Sequence, residues 1–111
     1  MDFKSRAIDN GTVVGLGGEI DLHHSPALKE KLSEIAKGKP SCVILDFASV
    51  TYIDSSGLAT LIDLYQKMKG YGGKLGLAGL SVQVKSVFEV ARLHQVFTIY
   101  ESEQQAVEKL K

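Results

Sequence analysis

Between Thr12 and Leu22 the apolar residues Val14, Leu16, Ile20 and Leu22 fall on one parity, with Gly18 between them, while Glu19 and Asp21 fall on the other. That period of two predicts a half-buried strand whose carboxylates point away from the core. A second strand-like run, Phe3 to Ile8, precedes it across Asp9-Asn10-Gly11. An Asn-Gly pair between two such runs predicts a hairpin, because both residues tolerate positive φ.

The period then changes. Ser25-Pro26 reads as N-cap and first helical residue, and Leu28, Leu32, Ile35 and Ala36 form one buried helical stripe that Gly38 and Pro40 end. Val43-Ile44-Leu45 shows no alternation, as expected of a central strand covered on both faces. Val50, Tyr52 and Ile53 lead into Asp54-Ser55-Ser56-Gly57, after which Leu58, Leu61, Ile62, Tyr65 and Met68 repeat at helical spacing as far as Gly70, Gly72 and Gly73. Leu75 and Leu77 alternate around Gly76 as a strand. Ser81 starts a helix with Val84, Val87, Phe88 and Ala91 on one face, and Val96, Phe97 and Ile99 make a last short strand. Ser102-Glu103-Gln104-Gln105 has capping-box spacing ahead of Ala106, Val107 and Leu110. The predicted order is β-β-α-β-α-β-α-β-α, an α/β domain over residues 1–111: a mixed sheet with an N-terminal antiparallel hairpin, βα crossovers and about four helices.

Composition narrows the function classes. The chain has 111 residues, 44% apolar and 23% charged, which fits one globular domain. Lys+Arg and Asp+Glu are 13 each, and the cluster Lys29, Lys31, Lys37, Lys39 is interleaved with Glu30 and Glu34. No basic excess marks a nucleic-acid partner. Met1-Asp2-Phe3-Lys4 lacks the start of a signal peptide, and no apolar run nears the ~18 residues of a membrane span. The expectation is a cytoplasmic protein with no direct membrane insertion. Cys42 is the single cysteine and lies in an apolar run, where a buried, inert thiol is expected.

The segment that invites chemistry is Asp54-Ser55-Ser56-Gly57, where a strand hands over to a helix. A helix start carries unpaired N–H groups and partial positive charge, and so favours an anion such as a seryl phosphate. Asp and Ser are also the preferred capping residues, so capping alone accounts for their presence. The two roles are compatible, since one serine can cap while the other stays free to react.

Tyr52-Ile53-Asp54-Ser55-Ser56-Gly57-Leu58-Ala59 resembles the signature of bacterial anti-sigma factor antagonists of the STAS family. Gly18-Glu19-Ile20-Asp21 with Ser25-Pro26-Ala27-Leu28, the turn Gly72-Gly73-Lys74-Leu75, and Val84-Lys85-Ser86-Val87-Phe88 with Leu93 extend the likeness over nearly the whole chain. Ala59 departs from it, standing where a Gly is frequent. The resemblance implies a single STAS domain that is not an enzyme and has no cofactor. Ser55 would be the phosphate acceptor, and Asp21, His23, His24, Asp54, Ser56, Gly57 and Leu58 the docking face. In such proteins the unphosphorylated form binds an anti-sigma factor that is also a serine kinase with a histidine-kinase-like ATPase fold, and so releases sigma. Phosphorylation ends that binding, and a serine phosphatase of the PP2C class restores it. Within the resemblance, Asp21 is expected beside Ser55 across adjacent strand ends, and Gly57 is expected to let the partner backbone approach, or else to relieve a tight turn. The alternative implied by the same family is a subunit of a membrane lipid-transport complex that docks on an ABC transporter ATPase.

Other chemistries lack their residues. His23 and His24, read as neighbours on an extended segment, point to opposite faces and do not chelate one ion, so no metal site is expected. Neither Ser55 nor Ser56 lies in G-x-S-x-G, and no oriented base is identifiable, so no catalytic residue is assigned. The glycine-rich stretch from Gly70 to Gly79 contains no G-x-x-x-x-G-K-[ST], and its glycines suit turns and close packing.

Overall fold

The computed structural model describes residues 2–9 and 11–110. Its elements are β1 (Asp2–Ile8), β2 (Gly11–Ile20), α1 (Ser25–Lys37), β3 (Cys42–Ile53), α2 (Ser55–Tyr71), β4 (Lys74–Ala78), α3 (Val82–Val90), a 3-10 turn at Leu93–Gln95, β5 (Thr98–Tyr100) and α4 (Glu103–Lys109). The strands stand in the sheet in chain order, β1-β2-β3-β4-β5. β1 and β2 are antiparallel, with Ile8 opposite Gly11, and every later neighbour is parallel. The mixed sheet with its opening hairpin is therefore as expected, although Asn10 of the anticipated turn lies outside the described residues.

Alternation along the central strands splits the interior in two. Val14, Leu16, Val43, Leu45 and Phe47 meet Leu28 and Leu32 of α1, Leu61, Leu64 and Met68 of α2, and Val84 and Phe88 of α3. Val13, Cys42, Ile44 and Ala78 form the second cluster with Ala106 and Leu110 near α4. β2 is thus buried on both faces near its start, where a half-buried strand was expected. Phe47, Phe88, Phe97 and Tyr65 pack as a chain of edge-to-face rings, with centroids 5.6–6.1 Å apart. Burial raises the pKa of the Cys42 thiol, against the pull of the Lys74 charge.

Capping chemistry explains most boundaries. Ser81 accepts from the Val84 N–H and Ser102 from the Gln105 N–H. The Gln105 side chain reaches back to the Glu101 N–H, one residue before the cap that a capping box uses. α2 stops at Gly72, which adopts left-handed φ of 83° while its N–H and that of Gly73 return to the last carbonyls.

The expectations that fail lie at the ends of elements. β2 ends at Ile20, so Leu22 leaves the core as the chain turns and is 75% exposed. Ser25 is not the cap of α1: His24 holds that position without a side-chain cap, and Ser25 lies inside the first turn with its hydroxyl committed elsewhere. Ala91 falls beyond the end of α3 and is exposed, as is Val96, which precedes β5.

Candidate functional site

Because β2 and β3 run parallel with Ile20 opposite Ile53, both strands leave the sheet at the same, carboxyl end. The Asp21–His24 turn and the Asp54–Gly57 helix start are thereby brought together. The Asp54 N–H donates to the Ile20 carbonyl at 3.1 Å, which fixes one turn to the other.

Asp54 organises the site. It is the extended N-cap of α2, and its Oδ1 accepts from the Ser56 N–H at 3.0 Å, the Gly57 N–H at 3.1 Å and the Ser56 hydroxyl at 2.6 Å. Oδ2 accepts from the Leu22 N–H at 3.2 Å. The Ser56 hydroxyl, then the Gly57, Ser56 and Leu22 amides, hold the Asp54 carboxyl below its ordinary pKa despite partial desolvation. The N–H groups of Ser56 and Gly57 are taken by Asp54 Oδ1, and that of Leu58 by the Asp54 carbonyl. The open amides expected to cradle an anion are largely spent.

The two serines are in different circumstances. Ser55 is exposed at the first residue of α2, and its hydroxyl makes no hydrogen bond to another described residue. Ser56 is half-buried: its Oγ lies 2.6 Å from Asp54 Oδ1 and 3.0 Å from Ser25 Oγ. Ser25 is buried and donates to the Asp21 carbonyl at 2.7 Å.

Asp21 turns toward its own loop. Its Oδ1 accepts from the His24 N–H at 3.0 Å and sits 2.8 Å from His24 Nδ1. Desolvation raises its pKa, but the His24 amide, ring and charge outweigh that and the repulsion from Asp54, so the carboxyl lies below its ordinary value. Asp21 meets the Asp54–Gly57 segment through Ser25, not by a direct bond to Ser55. His23 and His24 do not diverge as expected of an extended segment: they lie in a turn, with rings edge-to-face at 4.9 Å. No cluster of three metal-ligating side chains occurs among the described residues.

Gly57 is buried, and a Cβ there would lie 2.7 Å from the Ile20 carbonyl oxygen. The close approach it permits is internal, between α2 and the ends of β2 and β3, and not toward a visiting backbone. Leu58 is also buried, but one side of it lines a shallow hollow of about 370 Å³ with Ser55, Ser86, Val87, Val90 and Ala91. This hollow and Ser25 were missed from sequence. Val90 carried a signal, since it is apolar yet off the buried stripe of α3, and it proves 86% exposed. Ser25 carried none, because its partner is 31 residues away.

A family model described as STAS domain matches residues 2–106. The anti-sigma-B factor antagonist of Bacillus subtilis (strain 168) is 31% identical over 99 residues, covering 89% of this chain and 88% of that protein. A solved anti-sigma factor antagonist from Mycobacterium paratuberculosis superposes with a TM-score of 0.91 at 23% identity, covering 98% of this chain and 92% of that one. The anti-sigma factor antagonist SpoIIAA in its unphosphorylated form gives 0.85 at 22% identity over 98% of this chain and 96% of that one. The Bacillus cell fate determinant SpoIIAA in its phosphorylated form gives 0.78 at 21% identity, over 99% of this chain and all of that one.

Proposed function

The chain belongs to the STAS domain family, and from that premise we propose that it is an anti-sigma factor antagonist switched off by phosphorylation of Ser55. The observation that supports the reading is the setting of Ser55: an exposed hydroxyl that no other described residue engages, on the rim of an apolar hollow, at the carboxyl ends of two parallel strands.

In the unmodified state a partner covers Leu58, Val87, Val90 and Ala91, and the neutral Ser55 hydroxyl is buried at small cost. The partner is an anti-sigma factor that is also a serine kinase, and its capture frees sigma. In the transfer step the Ser55 oxygen attacks the γ-phosphorus of ATP. The new O–P bond forms as the bond to the ADP oxygen breaks, and the hydroxyl proton passes to a base of the kinase. The product carries about −1.5 to −2 charge at pH 7. The Asp54 carboxylate already occupies the nearby amides, so this charge gains little compensation from α2 and adds to an existing negative group. Docking an apolar surface against it requires desolvating it. A penalty of about 3 kcal/mol weakens binding more than a hundredfold. Hydrolysis of the phosphoserine by a PP2C-type phosphatase resets the switch.

The test is transfer of labelled phosphate from ATP by the cognate anti-sigma factor kinase. Wild type takes one phosphate, on Ser55. Ser55→Ala takes none there and stays bound to the kinase, while Ser55→Asp binds weakly. Undiminished labelling of Ser55→Ala overturns the assignment.

A further inference from the structure

We propose that Ser25 is a positioning residue that confines phosphate transfer to Ser55 by holding the neighbouring Ser56 hydroxyl inward. The inference rests on the phosphoserine reading above and asks why only one of two adjacent serines would be used.

Proximity to a base favours the wrong serine. Ser56 Oγ lies 2.6 Å from Asp54 Oδ1, a carboxylate placed to take its proton, whereas Ser55 has no such neighbour among the described residues. Attack by Ser56 on the γ-phosphorus of ATP would form the Oγ–P bond, expel ADP and send the hydroxyl proton to Asp54. That route needs an available lone pair and an oxygen that can turn outward.

Ser25 bears on both. Three close oxygen contacts run from Asp54 Oδ1 through Ser56 Oγ and Ser25 Oγ to the Asp21 carbonyl, at 2.6, 3.0 and 2.7 Å. A carboxylate and a carbonyl only accept, so two hydroxyl protons serve three gaps. With the Ser56 proton on Asp54, the sole proton for the middle contact is that of Ser25, shared with the Asp21 carbonyl. When it turns to Ser56 it engages one of the two lone pairs on that oxygen and ties the hydroxyl to α1. The buried Ser25 side chain also draws the half-buried Ser56 hydroxyl toward α1.

Two measurements test this on the full-length protein, with unchanged thermal unfolding as the check on folding. Without kinase, the Hα–Hβ couplings of Ser56 report one rotamer in wild type, averaged rotamers in Ser25→Ala, and one rotamer again in Ser25→Thr. With the cognate kinase and ATP, phosphate on Ser56 in a Ser55→Ala background rises about fivefold when Ser25→Ala is added, the factor that about 1 kcal/mol represents. Ser56 couplings that ignore Ser25→Ala overturn the proposal. So does normal labelling of wild-type Ser55 with no gain at Ser56, which leaves the phosphoserine reading standing. Absence of label on wild type overturns both.

Discussion

Gly57 and Ile20 approach so closely that a methyl group on Gly57 would lie 2.6 Å from Ile20 Cγ2 and 2.7 Å from the Ile20 carbonyl oxygen. One of those atoms is backbone at the end of β2, where the Asp54 N–H holds the Ile20 carbonyl, so it has little room to retreat. Gly57→Ala should therefore cost about 1–3 kcal/mol of overpacking and lower the thermal midpoint by several degrees. Calorimetry on the purified variant checks this; an unchanged midpoint would show that α2 can ride outward without loss.

The acid side of the stability profile should carry the signature of Asp54. Its folded pKa is depressed by the hydrogen bonds it accepts, so its contribution is complete above the unfolded value near 4 and is lost as pH falls through the folded value. Asp54→Asn should be less stable than wild type at pH 7, and the gap should narrow at pH 3. Asp21 shifts in the same direction and remains in the variant, so part of the acid sensitivity persists. Urea unfolding of both proteins at the two pH values decides it: a gap of constant size removes Asp54 from the account.

Val90 separates docking from folding. It is 86% exposed, so Val90→Ser should move stability by no more than about 0.5 kcal/mol. If the hollow beside Ser55 receives the anti-sigma factor, the same change should weaken that complex about tenfold by titration calorimetry. Full affinity in a folded Val90→Ser protein would move the interface elsewhere.

Cys42 offers a probe of opening. It is 2% exposed and its thiol pKa is raised by burial, so a thiol reagent should react far more slowly with the native protein than with the urea-unfolded chain. Adding urea below the transition should accelerate the reaction in step with the falling stability. Equal rates for native and unfolded protein would contradict the core assignment.

The order of elements was legible because each carries its own period and punctuation. The helical stripe after Gly57, the glycines that close α2 and the Asn-Gly hairpin signal all act within a few residues. Asp54 and the serines at the α2 start were legible for the same reason, since a cap is a local bond. Features set by distant chain were not. Parity placed Leu22 with Ile20, but β2 stops first and the turn that follows is held by Asp54, 32 residues on. Ser25 looked like a cap because its sequence neighbours suit one, while its hydroxyl answers to Ser56 across the fold. His23 and His24 were misread for a different reason: the turn that brings their rings together is local, closed by bonds back to Asp21, but strand parity had been carried past the end of β2.

The sheet order repeats the chain order, β1 through β5, and this has a bearing on synthesis. Each strand leaving the ribosome finds its edge already made by the strand before it, so no earlier pairing has to reopen to admit a latecomer. On that route the sheet grows strand by strand, and the Asp21 and Asp54 turns meet as soon as β3 pairs with β2, before β4 and β5 are made.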